Sequence, residues 1–134
     1  WLEFRRVLFR SLCNRCGVED ESITHVYYYC TAVNRFWYDL EIFLRQHLCH
    51  DINLNLESIL FGLYETPNFK LLNHILLAGK RYIYISCIRN DTISLKSFCV
   101  ALKDIYRVER YIARMKDRQH QFNKKWLALA AALE

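Results

Sequence analysis

Glycine and proline are scarce in this sequence, with three glycines and one proline among 134 residues. Sheets made of many hairpins need such residues at their turns, so the scarcity argues against a β-sandwich or barrel and favours a helical chain. Apolar runs of the roughly 18 residues that a membrane helix needs are also missing, and we expect no contact with a membrane. The apolar residues near the start are interrupted by Arg5, Arg6 and Arg10, which argues against a secretory signal peptide.

The residues that are present suit one globular domain. Hydrophobic residues make up 53% of the chain and charged residues 25%, and a chain of this length has room for a single core. Six cysteines without a secretion signal indicate metal ligands or free thiols more than a disulfide framework. The formal net charge of +5 is modest, so its distribution along the chain is more informative than its size.

Both ends of the sequence resemble segments that are not native to the protein. Residues 2–11 resemble the codon-by-codon translation of a short-read sequencing adapter, so we treat residues 1–11 as a non-native arm; the alternative is a native amphipathic arm with a basic face. Without this arm the formal charge falls from +5 to +3, because three arginines and one glutamate are removed. Residues 129–134, with the sequence LAAALE, resemble a polylinker-encoded tail, although the same residues are ordinary helix formers.

Apolar periodicity predicts an all-α domain. The candidate N-caps are Ser22, Thr31, Asn68 and Ser94. The predicted helices are Ile23–Tyr29, a helix after Thr31 that carries Val33 to Leu44, Leu56–Tyr64, a long helix from Asn68 to Cys87, and a final long helix from Leu95 to about Trp126. We expect residues 12–31 to form a knuckle and residues 32–128 to form a bundle of about four helices in the same domain, with Trp37 and Trp126 in its core.

The sharpest pattern is a set of three cysteines and one histidine. The spacing is Cys13-x2-Cys16-x8-His25-x4-Cys30, and two cysteines separated by two residues place both thiolates on one metal ion from a single turn. Three sulfurs and one nitrogen suit a tetrahedral Zn²⁺ and leave no position open for water, so we predict one structural zinc ion. The alternative is a group of buried free cysteines with an unrelated histidine. The remaining cysteines lie in apolar surroundings and are interpreted as core residues: Cys49, Cys87 and Cys99.

The same segment carries a family resemblance. Its elements are Leu12–Gly17, Glu21–His25, Tyr29-Cys30 and Phe36-Trp37, followed by Ile59–Gly62, the apolar stretch from Leu72 to Ile85, Tyr111–Ala113 and Phe122–Trp126. This arrangement resembles the zinc-binding segment after the reverse transcriptase in LINE-type (non-long-terminal-repeat) retrotransposons, and the likeness covers nearly everything from residue 12 onward. It implies that the zinc ligands are Cys13, Cys16, His25 and Cys30.

The resemblance also implies a parent protein and binding partners. The chain would be the C-terminal module of a longer polyprotein, with an upstream reverse transcriptase domain as its partner. It would contact template RNA or target DNA during target-primed reverse transcription, within a nuclear or cytoplasmic ribonucleoprotein. We expect no catalysis by this chain, because its sequence has no paired-aspartate polymerase motif and no recognisable set of nucleophile, base and orienting residue.

Positive charge is concentrated on the predicted last helix. At about 100° per residue, six basic residues fall on one face: Lys103, Arg107, Arg110, Arg114, Arg118 and Lys125. A straight helix would extend this row over about 33 Å, with Tyr106 and Tyr111 beside it for stacking on bases or sugars. The opposite face is apolar and is predicted to lie in the core: Phe98, Leu102, Ile105, Val108, Ile112, Met115, Phe122 and Trp126.

Two functions are consistent with these features. In the first, the basic row holds element RNA or target DNA near a polymerase on the same polypeptide, since the planar fork of arginine suits phosphate. In the second, the basic row is only a solvated helix face, and the chain is a zinc-stapled packing module that docks on the polymerase through apolar surface. Tyr27, Tyr28 and Tyr29 are interpreted mainly as core residues, and base stacking is the less favoured alternative.

Overall fold

Seven helices make up the described part of the chain. The computed structural model describes residues 12–134, so the predicted non-native arm lies outside the described residues. The helices are α1 (His25–Tyr29, π-helical), α2 (Thr31–His47), α3 (Leu56–Phe61), α4 (Phe69–Arg89), α5 (Leu95–Met115), α6 (Gln119–Trp126) and α7 (Ala130–Leu133). Within residues 12–134 the only β-pairing is an isolated antiparallel bridge between Leu12 and Asp20. The prediction of an all-α bundle is therefore confirmed.

Two of the predicted helix caps are confirmed by their hydrogen bonds. Ser22 Oγ accepts a hydrogen bond from the backbone N–H of His25 at 3.1 Å. Ser94 Oγ accepts one from the backbone N–H of Ser97 at 3.2 Å. Each bond satisfies an amide that the first turn of a helix leaves without a partner. Ser22 caps the helical turn that begins at Ile23 and continues into α1, and Ser94 caps α5.

Of the other two predicted caps, Asn68 is confirmed in position but makes no side-chain capping bond, and Thr31 is wrong. Asn68 does precede α4, but it has a left-handed backbone (φ 61°) and its side chain makes no capping bond. Asparagine tolerates this conformation better than most residues, so Asn68 turns the chain after Pro67. Thr31 is already helical, and the cap position of α2 is taken by the extended residue Cys30 (ψ 131°).

The first part of the core forms where α2, α4 and α5 meet. Trp37 is 1% exposed, which confirms its predicted core position. It lies over Gly79 of α4, where an added Cβ would come within 2.9 Å of Trp37 Cη2. Phe36 packs edge-on against Phe98 of α5, with ring centroids 5.3 Å apart. The close approach of α2 to α4 therefore depends on glycine at position 79.

The predicted single helix over residues 95–126 is wrong, because the chain reverses after Met115. Asp117 has a left-handed backbone (φ 52°), and the Arg118 N–H donates to Ala113 O at 2.8 Å, which is the bonding pattern of a Schellman helix end. The reversal lets Phe122 of α6 pack on Tyr106 of α5, with ring centroids 5.2 Å apart. No glycine or proline marks this break, so the sequence offered little local warning of it.

The segment 129–134 packs on the domain in this structure. Leu129 is fully buried and Leu133 is 2% exposed. Tyr106 Oη donates to Glu134 Oε1 at 3.1 Å. The second part of the core is formed here, where α5, α6 and α7 enclose Trp126, whose predicted core position is confirmed at 1% exposure. No helix in residues 12–134 is both long and apolar enough to cross a membrane.

Candidate metal centre and basic face

The first two cysteines lie in a tight turn closed by backbone hydrogen bonds. The Cys13 N–H donates to Glu19 O at 2.8 Å, and the Gly17 N–H donates to Cys13 O at 2.8 Å. Gly17 has a left-handed backbone (φ 66°), a conformation that costs glycine little because it has no Cβ. The turn places Cys13 and Cys16 on the same side, as the two-residue spacing predicts.

The other two candidate metal ligands are His25, in α1, and Cys30, the residue that follows α1. His25 O accepts the Cys30 N–H at 2.8 Å, which closes a turn of six residues. In a regular α-helix, residues five positions apart point about 140° away from each other. The wider π-helical turn returns Cys30 to the side of His25, so this local irregularity brings the second pair of side chains together.

The four side chains converge on one point. Their sulfur and ring-nitrogen atoms all lie within 4.8 Å of one another. Cys13 Sγ and Cys30 Sγ are 3.9 Å apart, and Cys16 Sγ lies 3.3 Å from His25 Nε2. Zinc bond lengths in a tetrahedron imply about 3.8 Å between sulfurs and about 3.5 Å between sulfur and nitrogen. The geometry therefore fits a four-coordinate metal ion, as the spacing predicts.

The electrostatics of the cluster also suit a cation. Hydrogen bonds from the backbone amides of Glu19 and Val18 lower the pKa of the Cys16 thiol from 9.0 to about 6. Burial raises the pKa of the Cys30 thiol, while amides at the start of α2 oppose that rise. The thiolate is the form that binds metal. Several thiolates this close together repel one another unless a cation lies between them.

Two contacts tie the metal-binding segment to the bundle. The Trp37 indole N–H donates to Tyr27 O at 2.7 Å, and the Arg15 guanidinium donates to Ile83 O in the middle of α4. Tyr27 and Tyr28 pack against the core, whereas Tyr29 is exposed. Core packing therefore accounts for two of the three successive tyrosines. The segment is fixed to both α2 and α4, so a bound metal would hold the entry of the chain against the bundle.

The other cysteines stay away from the cluster. Cys49 is a half-buried free thiol that packs against the core. Cys87 is also a half-buried free thiol. Burial raises the pKa of the Cys99 thiol, and Lys103 opposes that rise. None of the three belongs to a metal-ligand group within residues 12–134. The predicted packing role is therefore confirmed for Cys49, whereas Cys87 and Cys99 are half-buried outside the core cluster.

Four of the six predicted basic residues lie on α5 and point away from the core side. Arg107, Arg110 and Arg114 are exposed, and Lys103 is half-buried. Arg107 lies 3.6 Å from Asp104, but both side chains are about two-thirds exposed, at 69% and 67%, so this pair holds Arg107 weakly. From Lys103 to Arg114 the row extends about 17 Å. We call these four residues the basic face.

The other two residues of the predicted basic row, Arg118 and Lys125, are not part of the basic face. Arg118 follows the chain reversal at Asp117, so it does not continue the face of α5. Lys125 of α6 donates to both carboxylate oxygens of Glu109, at 3.0 and 3.1 Å, and lies 2.7 Å from His74 Nδ1. The ammonium group of Lys125 is therefore already paired with a carboxylate of the same chain. A phosphate would have to compete with Glu109 for Lys125.

Of the two tyrosines that were predicted to stack on bases, Tyr106 is buried and only Tyr111 is exposed. Tyr106 is 4% exposed and packs against Trp126, with ring centroids 5.4 Å apart. Burial raises the pKa of its hydroxyl. Tyr106 therefore cannot stack on a base, because the second part of the core encloses its ring. Tyr111 is exposed as predicted.

The residues that pair with Lys125 were not predicted from the sequence. Glu109 also accepts the Trp126 indole N–H at 2.7 Å, and it comes near Lys125 only because α6 folds back along α5. Burial, reinforced by the neighbouring Lys125 ammonium, lowers the pKa of His74. A neutral imidazole can accept the lysine proton at Nδ1. His74, Glu109 and Lys125 lie on three different helices, and these residue types form no sequence motif that would have revealed their contact.

Comparison of the chain with protein-family models, with curated proteins and with solved structures gave no match. Functional conclusions therefore rest on the geometry of the metal cluster and of the basic face.

Proposed function

We propose that this chain is a zinc-stabilised nucleic-acid-binding module of the kind that its sequence resembles, the segment after the reverse transcriptase in LINE-type retrotransposons. The observation that carries the binding proposal is the basic face, where three exposed arginines and Lys103 share one side of a rigid helix. Closely spaced positive side chains on a helix supply the sequence-independent part of nucleic-acid affinity. The module would hold template RNA or target DNA beside a polymerase.

Zinc is the metal that this proposal requires. Three thiolates and one imidazole form a soft donor set, which zinc accepts in the tetrahedral arrangement that the distances fit. All four positions would be filled by protein atoms, so the ion would stabilise the fold and bind no substrate. The metal would act on nucleic-acid binding indirectly, by fixing the start of α2 against α4.

The basic face predicts a specific dependence of affinity on salt. Each phosphate neutralised contributes about −0.9 to the slope of log affinity against log salt for duplex, and about −0.7 for single strands. Four contacts give slopes of about −3.6 and −2.8. The experiment is fluorescence anisotropy of labelled duplex DNA and single-stranded RNA across a salt series. A slope near zero for both ligands would contradict the proposal.

A matched pair of charge reversals sharpens this experiment. Arg110→Glu with Arg114→Glu removes two contacts from the basic face and should weaken binding strongly. Arg81→Glu with Arg89→Glu changes the net charge equally, on exposed positions of α4. If the two double variants lose equal affinity, binding follows total charge, and the assignment to the basic face is wrong.

A second function is favoured by one specific observation. Val108, Ile112 and Met115 were predicted to lie in the core, but they are 57%, 44% and 71% exposed. They share a flank of α5 that neither α4 nor α6 covers, on the side away from the basic face. Apolar surface of this kind is a feature of docking sites. The alternative function is therefore a zinc-stabilised packing module that docks on a polymerase without touching nucleic acid.

A further inference from the structure

A notch between α5 and α6 combines two arginines with two carboxamides. Its volume is about 270 Å³, and it is lined by Arg110, Arg114, Gln119, Phe122 and Asn123. The arginines belong to the basic face, one helical turn apart on α5, and the carboxamides lie one turn apart on α6. Phe122 is 9% exposed and contributes an apolar wall. The chain reversal at Asp117 creates the notch, because it brings α6 alongside α5.

The charged groups of the notch are available to a ligand. Arg110 has one acidic neighbour, Glu134, at the long distance of 4.0 Å, and its side chain is 45% exposed. Arg114 makes no ion pair with another residue of the 12–134 range. Two guanidinium groups on neighbouring turns suit a phosphate group, since each offers a planar fork of N–H donors.

The carboxamides add a second kind of recognition. Gln119 and Asn123 are exposed, and each presents an N–H donor beside a C=O acceptor. This pair matches the edge of a nucleobase, and adenine is the base that asparagine and glutamine side chains match best with two hydrogen bonds. A volume of about 270 Å³ is close to the lower end of the range for small-ligand sites. It is more than one phosphate needs and suits a single base with its phosphate at the mouth.

We propose that the notch binds one unstacked nucleotide of a single strand, with the phosphate on Arg110 and Arg114 and the base edge on Gln119 and Asn123. This inference rests on the proposed nucleic-acid-binding function and adds base recognition to it. A paired base cannot enter without leaving its stack, which costs free energy. The notch therefore favours single-stranded ligands and prefers adenine.

The experiment measures anisotropy of short oligouridines in which one central base is U, A, C or G, at one salt concentration. The wild-type chain should bind the adenine-containing strand roughly tenfold more tightly than the oligouridine. Gln119→Ala with Asn123→Ala should abolish this preference and leave the salt slope unchanged. Alanine is the best helix former, so α6 should persist in the variant. Gln121→Ala is the matched control on the same helix and should keep the preference.

The outcomes separate this inference from the function on which it rests. Equal binding of the four strands by the wild-type chain would overturn base recognition and leave the basic face as a sequence-independent contact. A preference that survives the double alanine substitution would overturn the assignment to the notch. Absence of salt-dependent binding to any strand would overturn the proposed function, and the notch inference with it.

Discussion

Lys125 allows a direct test of which basic residues serve the fold and which serve binding. Its ammonium contacts Glu109 at 3.0 Å, with the two side chains 30% and 29% exposed, and lies 5.3 Å from the centre of the Trp126 ring. Lys125→Met keeps most of the aliphatic stem and removes the charge. Hydrogen bonds to charged groups contribute about 1.5–3 kcal/mol when well shielded and under about 1 kcal/mol at the surface. At this partial exposure we expect a loss of about 1–2 kcal/mol.

Arg114→Met is the matched partner for this substitution. Arg114 is exposed on the basic face and makes no ion pair within the described residues, so its loss should change the free energy of unfolding by under about 0.5 kcal/mol. It should weaken duplex binding and reduce the magnitude of the salt slope by about 0.9. Lys125→Met should show the opposite pattern, with lower stability and unchanged affinity.

Two assays on the same samples measure the contrast. Urea unfolding followed by circular dichroism gives the free energy of unfolding, and anisotropy with labelled duplex gives the affinity. The structural role of Lys125 would be disproved if Lys125→Met weakened binding as much as Arg114→Met does while its unfolding free energy stayed at the wild-type value. That result would mean that Lys125 contacts phosphate and that its contact with Glu109 is unimportant.

Three further predictions concern stability and metal. Gly79→Ala should destabilise the chain by about 1 kcal/mol in urea unfolding, because overpacking against Trp37 costs about 1–3 kcal/mol and the better helix propensity of alanine returns about 1 kcal/mol; a stabilised variant would show that Trp37 can move aside. Burial beside Lys125 lowers the pKa of His74 from its usual 6.5, so at acidic pH the folded state binds fewer protons than the unfolded state. The contribution of His74 to the free energy of unfolding is therefore fully present above pH 6.5 and is lost as the pH falls below it. His74→Gln should remove that part of the decline in unfolding free energy, and a wild-type minus variant difference that does not change with pH would contradict the reasoning. Cys16→Ser should lose bound metal and the helical signal of α1 while most far-ultraviolet dichroism remains, because the bundle has its own core; stoichiometric metal in the variant would contradict the ligand assignment.

The metal cluster was predictable from sequence because its members are close together in the chain. Cys13 and Cys30 are separated by a short segment, so spacing alone limits how far apart their side chains can lie. Burial of Trp37 and the cap at Ser94 were predictable for the same reason, since helical periodicity and capping are local properties. The π-helical turn at His25 was not predicted, because a single widened turn leaves no mark on the apolar period.

The face of α5 was only partly predictable, because periodicity cannot say which neighbour covers a helix. In a single straight helix, Val108 would lie on the apolar side that faces the core, and Tyr106 would lie beside the exposed basic row. The reversal at Asp117 moved α6 to a different side of α5, so Tyr106 became enclosed and Val108 was left exposed. Glu109 and Lys125 met for the same reason. These outcomes depend on tertiary packing, which a period within one helix does not encode.

We expect one tetrahedral metal ion to join the two halves of the N-terminal segment, the turn with Cys13 and Cys16 and the turn with His25 and Cys30. X-ray absorption at the zinc edge, together with the metal content of the purified chain, tests it most directly. We expect one zinc per chain, bound by three sulfurs at about 2.3 Å and one nitrogen at about 2.0 Å. A chain that carries no metal, or a zinc shell made mainly of oxygen and nitrogen, would contradict it.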